Sequence, residues 1–492
     1  MHRLISCALV LLLAPTAALA DDDDTRFLLN QMDRQQQSEE RAYPAPAVAD
    51  NPDLFTVNGT TYQVEQTLEA LGPALYVAIN LKQWHKVRQF VQRYRQLPDH
   101  DANLALLAEG MLARVDGDYA GAIAALETAL AGKPEFVRAR LELARIYFED
   151  HQLNAARDAF ERAQGSAGLP PQVLGMIDQY LAALDRRAGW QGSLSLGLGY
   201  DTNLNQGNGD MRVSQVCYLP NWCQTVTRRM PEPLESSEWV YDLTAERRFN
   251  LSGHHNLLLR GIVYGSYPDK ALEGSDSTDY FDENTSVLYA GYSYKSARNE
   301  LNLLPTFEHF YSDRHTRYEA GGLRLEWKHQ WSPPLQLNTY LQTRRYRFQG
   351  EDAVYFENYD EHRLGLSASY LFNPVTALYG GLDYTRKDFP TDAASSDAWM
   401  LNLGVYRQLM PGVNLNATAL YRETRNDEAN TLLGGLREDK QQIYMLNVDL
   451  PRWAIKGFVP VLSLKHTMNE SSIDWAYGYE RTEAALKLKK TF

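Results

Sequence analysis

The feature that most limits the fold is a period-two alternation of apolar and polar residues, which recurs over about 300 residues up to Phe492. In segment 396–409, for example, Trp399 and Leu401 share one face, opposite Asn402. Since successive side chains of a strand point to opposite faces, each such segment predicts a strand with one apolar and one polar face. Fourteen strands are predicted, at 191–205, 238–250, 254–267, 282–295, 299–312, 316–331, 334–349, 359–372, 376–390, 396–409, 412–426, 438–450, 457–470 and 477–492.

The length and connections of these strands favour an outer-membrane β-barrel over a soluble β-sandwich. Strands of about 12 to 15 residues are too long for most sandwiches, whose strands average about 5 to 6 residues. Every second connection is short and carries turn residues, as at Asn373-Pro374 and Pro411-Gly412, and the others are usually longer and polar. Bacterial barrels place short turns in the periplasm and long loops outside, and carry aromatic girdles that suit the 30 Tyr of this chain. A terminal Phe492 also fits the last strand of such a barrel.

The N-terminal residues predict export followed by an unstructured segment. Met1 to Ala20 read as a signal peptide, with an apolar stretch and a small-residue cleavage site at Ala18-Leu19-Ala20. Residues 21–56 are acidic, then Gln-rich, then Pro/Ala-rich, and they lack apolar periodicity. This composition predicts a disordered tether or an extended strap.

Residues 57–188 predict a helical repeat domain, because apolar positions recur three and four apart. An internal period of 34 residues relates two units and matches the tetratricopeptide repeat (TPR). The matching positions are Gly110, Ala122, Leu126 and Ala129 in one unit and Ala144, Ala156, Phe160 and Ala163 in the next. Such stacks present a concave face to peptides or proteins, although a plain spacer is the alternative. The predicted concave-face residues are Met111, Arg114, Arg138, Arg145 and Phe148.

The barrel half, 189–492, predicts a wet interior. Fourteen strands are too many for side chains alone to fill, so a channel or a plugged channel is implied. Strand parity and the Gly-rich first strand select the candidate residues of the lumen and of the seam between first and last strands. These are Tyr200, Asp201, Asn203, Arg481, Glu483 and Lys487.

The sequence contains few candidates for a disulfide, a metal site or a catalytic site. Cys217 and Cys223 lie six positions apart in a predicted outer loop, and an oxidising compartment predicts a disulfide between them, with free or metal-trapping thiols as the alternative. The sequence predicts no catalytic site, no metal site and no cofactor. The histidines at 254, 255, 309 and 315 read as solvated turn and loop residues. A net charge of -13 argues against a nucleic-acid partner.

The whole pattern resembles the surface lipoprotein assembly modulator family (Slam), the outer-membrane component of type XI secretion. The junction Gly189-Trp190-Gln191-Gly192-Ser193-Leu194-Ser195, running into Gly199-Tyr200-Asp201-Thr202-Asn203-Leu204-Asn205, looks like the family's barrel entry. The resemblance implies a periplasmic TPR domain followed by a fourteen-stranded antiparallel barrel, an α + β multidomain chain without enzymatic activity.

The resemblance also implies partners and a function. The protein is expected to export client proteins, either surface lipoproteins or related secreted haem- and metal-acquisition proteins, to the cell surface. Periplasmic chaperones, the barrel-assembly machinery and outer-membrane lipid are the further expected partners. A TPR-linked polysaccharide exporter and a gated uptake porin are the alternatives, and an enzyme is a weaker one.

Overall fold

The computed structural model describes residues 22–40, 54–57, 60–219, 222–271, 278–430 and 433–492. The predicted signal peptide lies outside these residues. The first described element is helix α1 (Asp22–Glu40), which is followed by a short hairpin of β1 (Leu54–Val57) and β2 (Thr60–Gln63). The hairpin corrects the helical prediction at the start of 57–188.

A stack of seven helices follows the hairpin. Their bounds are α2 (Leu68–Asn80), α3 (Trp84–Arg95), α4 (Ala102–Asp116), α5 (Tyr119–Gly132), α6 (Val137–Glu149), α7 (Leu153–Gln164) and α8 (Pro171–Ala188). The two predicted repeat units are the pairs α4/α5 and α6/α7. Local sequence explains the ends of α4: Asp101 caps its first turn by accepting from the N–H of Asn103 at 2.9 Å, and Gly117 ends it with φ of 76°.

Small residues allow the paired helices to approach closely, as the repeat pattern predicts. A Cβ on Gly110 in α4 would lie only 2.9 Å from Cγ of Leu126 in α5, so this crossing has no room for a side chain. Phe160 of α7 is fully buried and stacks on Tyr180 of α8, with ring centroids 4.8 Å apart. The buried residues of the stack form two clusters, and Tyr147 packs against both of them, as expected where neighbouring repeat units stack.

The remaining chain forms a closed barrel of fourteen antiparallel strands. Its strands are β3 (Gln191–Asp201), β6 (Ser236–Ser252), β7 (His255–Pro268), β8 (Glu283–Lys295), β9 (Asn299–Ser312), β10 (His315–Ser332), β11 (Leu335–Phe348), β12 (Tyr359–Asn373), β13 (Thr376–Asp388), β14 (Ser396–Met410), β15 (Val413–Asn430), β16 (Gly435–Asp449), β17 (Val459–Ser471) and β18 (Tyr479–Thr491). The first and last of them pair at a seam, in register from Asp201 with Glu483 to Ser193 with Thr491. The predicted strand number and antiparallel barrel are confirmed.

The outer and inner faces of the barrel wall differ in polarity. Leu486 and Leu488 of β18 point outward and are about half exposed, together with Leu196 and Leu198 of β3 across the seam. Buried polar and charged residues line the opposite face. An apolar outer band around a polar interior is the arrangement of a barrel embedded in lipid. Among the described helices, none is both long and apolar enough to cross a membrane.

The first outer loop carries a hairpin that the sequence analysis did not predict. Its strands are β4 (Met211–Leu219) and β5 (Trp222–Arg229), which pair with each other and not with the barrel. Cys217 and Cys223 are opposite each other in this hairpin, and Cys223 is disulfide-bonded. This register supports the predicted Cys217–Cys223 bond.

The prediction of a disordered tether at 21–56 is wrong for most of its first half. Asp22–Glu40 form helix α1, which lies inside the barrel and contacts its wall. The sequence suggested disorder because α1 is polar overall, and a polar helix is unstable alone. Ion pairs with charged residues of the barrel wall stabilise the helix inside the lumen. Residues 41–53 lie outside the described part of the chain.

Candidate functional site

One buried carboxylate of the repeat stack lies among the three arginines that the sequence predicts for its concave face. Glu142 of α6 is 1% exposed. Three arginines surround it: Nη2 of Arg138 and Nη1 of Arg145 each lie 3.0 Å from Oε1, and Nη1 of Arg114 lies 3.6 Å from Oε2. Helical spacing places two of these arginines one turn on either side of Glu142, and the α4/α6 packing brings the third.

The charges of this group, called the Glu142 cluster, do not cancel. Arg114 also binds Glu149 in a bidentate pair, with Nε donating to Oε2 at 2.8 Å. Three guanidinium groups therefore face two carboxylates. Each arginine keeps between 24% and 32% of its side chain exposed, so the cluster forms a partly exposed surface of net positive charge.

Two predicted concave-face residues have different positions from the arginines. Met111 is 3% exposed and belongs to the apolar core of the stack, so its assignment to the binding face is wrong. A helix-periodic pattern does not distinguish an inner-face position from a core position next to it. Phe148 is partly buried, because the guanidinium of Arg187 covers its ring at 3.7 Å and Tyr180 packs against its edge.

The helical domain docks on the periplasmic turns of the barrel. Nε2 of His254, in the β6–β7 turn, lies 2.7 Å from Oδ2 of Asp150 at the end of α6. The backbone N–H of Ala297, in the β8–β9 turn, donates to the other oxygen of Asp150 at 3.1 Å. Burial raises the pKa of Asp150, but the hydrogen bonds from His254, Gln152 and Ala297 outweigh it and leave the pKa below its usual range.

Arg481, Glu483 and Lys487 of the last strand border a cavity inside the barrel. Arg481 donates from Nε to Oδ2 of Asp201 at 2.8 Å, across the seam, and also pairs with Glu483. Lys487 reaches Asp242 of β6 at 3.2 Å. Charge contacts therefore join β18 both to β3, with which its backbone pairs, and to β6, the next strand beyond β3.

Asn203 and Tyr200 differ in their placement. Asn203 follows the end of β3 and is 2% exposed; its amide donates to the carbonyl of Glu480 at 2.8 Å. Tyr200, predicted for the lumen or the seam, pairs with Ala484 at the seam, but its side chain points outward and is 45% exposed, so it does not line the lumen. The alternation that places Asp201 inside necessarily places its neighbour Tyr200 outside.

Much of the interior is occupied by the wall's own charged side chains. Arg260 is 3% exposed and lies between Glu246, at 2.8 Å, and Glu326, at 3.0 Å. Arg344 lies in the same way between Glu308 and Glu361. Buried charges need such partners, and the pairing fixes these side chains against the wall.

Aromatic residues fill the outer end of the lumen on one side. The rings of Tyr346 and Tyr359 stack with centroids 4.5 Å apart, and Tyr359 stacks on Phe389 at 4.3 Å. The cluster comprises Phe310, Tyr318, Tyr346, Phe348 and Tyr359, with Phe356 and Phe389 packed against it. Side chains of the wall thus fill part of the lumen.

Sequence reasoning missed Glu142, the Asp150–His254 contact and helix α1. A glutamate within one turn of two arginines was a readable signal for the first. His254 was interpreted as a solvated turn residue, because no sequence pattern indicates that another domain packs there. In the described residues, no group of three or more His, Cys, Asp or Glu side chains could hold a metal.

Comparison with known proteins agrees with this architecture. Residues 190–492 match the family described as "Surface lipoprotein assembly modifier", and residues 57–160 match the description "Surface lipoprotein assembly modifier, N-terminal TPR repeats". The "Hemophilin secretion modulator" of Acinetobacter baumannii is 28% identical over 515 residues, covering 100% of both chains.

Two further relatives carry the family's own description. "Surface lipoprotein assembly modifier 1" of Neisseria meningitidis serogroup B is 26% identical, over 86% of this chain and 83% of that protein. "Surface lipoprotein assembly modifier" of Moraxella catarrhalis is 23% identical, over 91% and 85%. The closed barrel and these matches place the chain in the bacterial outer membrane, with the TPR domain in the periplasm. The barrel profile alone covers more than half of the sequence, and the chain therefore belongs to the surface lipoprotein assembly modifier family.

Proposed function

We propose that this protein is an outer-membrane translocator that exports client proteins to the cell surface. Its clients are surface lipoproteins or related secreted haem- and metal-acquisition proteins, and the helical domain receives them in the periplasm. The observation that carries the proposal is the joint presence of a TPR stack and a closed barrel in direct contact, in a chain whose relatives are named for lipoprotein assembly and hemophilin secretion.

The docked arrangement supports a hand-over from the helical domain to the barrel. Asn154 of α7 donates to the carbonyl of Asn250 in the β6–β7 turn region at 3.3 Å, next to the Asp150–His254 contact. Arg247 of β6 also donates to the carbonyl of Ala188 at the end of α8, at 3.1 Å. A segment released from the stack is therefore already at the periplasmic mouth.

The Glu142 cluster is the client-binding surface in this proposal. Its partly exposed arginines suit acidic or polar client segments, since a guanidinium binds carboxylates and carbonyls through several N–H groups. The periplasm supplies no nucleotide, so the free energy of export comes from client folding outside or on the barrel.

A surface-display assay tests the proposal. A candidate lipoprotein or hemophilin-like client is co-expressed with the protein in a laboratory bacterium, and client on intact cells is counted with an antibody. We expect surface exposure with the full protein and at least a several-fold loss with Arg138→Ala combined with Arg145→Ala. The matched control is Arg162→Ala, at an exposed position of α7.

Two outcomes would count against different parts of the proposal. Full export by the double variant would remove the Glu142 cluster from client binding. No client on the surface, with client and folded barrel both present in the envelope, would favour the polysaccharide-exporter or porin alternatives. Comparing a lipid-anchored client with a soluble one separates the two client classes.

A further inference from the structure

Helix α1 bridges opposite walls of the barrel. On one side, Leu28 packs into a buried apolar cluster with Leu258, Ile262, Val287, Tyr289 and Leu304 of β7, β8 and β9. On the other, Phe27 packs against Met400, Leu420, Ile443 and Met445 of β14, β15 and β16. In the barrel order, β7 and β14 are seven strands apart, which is half of the circumference. One helix, about 10 Å across, therefore crosses the middle of the lumen.

Four ion pairs fix the depth and rotation of α1. Asp23 pairs with Arg422 of β15, and Asp24 with Lys465 of β17 at 3.3 Å. Arg26 pairs with Asp383 of β13, and Asp33 with Lys328 of β10. Each pair engages a different strand, so the helix cannot turn or slide without breaking several of them together.

The wall does not depend on α1 for its closure. Its fourteen strands complete the hydrogen-bonded circle among themselves. The attachments of α1 are side-chain contacts, which can be exchanged for water or for another segment. Beside the helix there remains a cavity of about 180 Å³, lined by Asp24 and Phe27 of α1 and by Lys465 and Glu483 of the wall. This volume is below the range of about 300–1,000 Å³ that is usual for ligand pockets.

We propose that α1 is an autoinhibitory plug, seated in the lumen by charge pairing and by apolar contacts, which must leave before ions or polypeptide can pass. The carboxylates of Asp23 and Asp24 pair with cationic groups of the wall. Without α1, an acidic segment passing through the lumen would pair with these groups instead. The inference goes beyond the proposed export function, because it concerns closure of the barrel and needs no client.

Conductance of the full-length protein in planar lipid bilayers tests the plug. The wild-type protein should be closed for most of the recording. Asp23→Arg places two cations together and should raise the open probability at least tenfold. Arg422→Asp should do the same from the wall side. The double variant, Asp23→Arg with Arg422→Asp, restores an ion pair of reversed polarity and should return the barrel to the closed state.

A matched control and a second measurement keep the test decisive. Glu65→Arg makes the same charge change at an exposed position of the helical domain and should leave conductance at the wild-type level. Leu28→Asp breaks the apolar seat and should open the barrel without touching an ion pair. Heat-modifiable migration on gels confirms that each barrel is folded.

Two results would overturn the plug. One is a wild-type protein that conducts continuously and at the same level as Asp23→Arg and Leu28→Asp. The other is opening by the single variants that the double reversal does not restore, since this would trace the current to wall damage. Failure of client export in the display assay would leave the conductance result standing, and the reverse also holds, so the two proposals fail separately.

Discussion

Replacing Glu142 by Gln tests whether the Glu142 cluster stabilises the helical domain. The substitution keeps the shape of the side chain and removes its charge, leaving three arginines with Glu149 alone. Removing one partner of a fully buried ion pair costs about 3–5 kcal/mol. Because the arginines remain a quarter to a third exposed and water screens them, we expect a loss of about 2 kcal/mol in the free energy of unfolding.

This loss is large enough to measure in the intact protein. For a domain of this size, about 1 kcal/mol corresponds to a shift of about 4 °C in Tm, so the variant should melt about 8 °C lower. The assay is thermal circular dichroism at the helical minimum, in detergent, where the barrel strands contribute a separate transition. Glu161→Gln, an exposed position on α7, should change Tm by no more than about 2 °C.

The result that would refute the reasoning is a Tm for Glu142→Gln that equals that of the wild type. The arginines would then gain nothing from the buried carboxylate, and their positions would have to be explained by packing alone. A loss of stability accompanied by unchanged client export would separate the structural role of the cluster from its proposed binding role.

Three further predictions concern the domain contact, the outer hairpin and the lipid face. Because the pKa of Asp150 is depressed, its contribution to docking is present above the usual carboxyl range and is lost as pH falls through the lower pKa of the docked state. Asp150→Asn should therefore increase protease cleavage between the domains at neutral pH, and acid should no longer change the rate of that cleavage. Cys223→Ser should make the outer hairpin sensitive to protease on intact cells, while heat-modifiable migration of the barrel stays unchanged. Leu486→Arg places a charge on the lipid face and should reduce barrel stability by about 2–4 kcal/mol in urea titrations, whereas Leu486→Ile should have little effect.

The barrel could be predicted from the sequence because the alternation of apolar and polar residues is a local pattern. Alternation assigns a face to each residue, and a lipid-facing strand must keep that alternation along its whole length. Most strand ends accordingly agree with the prediction; the clearest differences are β3, which ends earlier, at Asp201, and β15, which continues to Asn430. Outer loops give a weaker signal, because strands there can extend beyond the lipid without an apolar face.

Contacts between segments far apart in the sequence could not be predicted from such local patterns. Helix α1 carries few apolar residues, and it is held by charges from β10, β13, β15 and β17 together with the apolar contacts of Phe27 and Leu28. The Asp150–His254 contact likewise joins residues 104 positions apart. Met111 was assigned to the wrong surface because neighbouring faces of a repeat helix share one periodicity. Sequence patterns thus predict which residues lie on each face of a helix or strand, whereas tertiary packing determines which other segment contacts that face.

The charge pairs across the seam have a consequence for assembly of the barrel. Asp201 and Asp242 obtain their cations, Arg481 and Lys487, from the last strand of the barrel. Until β18 joins, both buried carboxylates lack these partners, and a buried charge without a partner is costly. A chain that stops before β18 should therefore remain an open sheet and be degraded in the periplasm, and should not form a narrower pore. We therefore expect closure of the barrel to require the last strand.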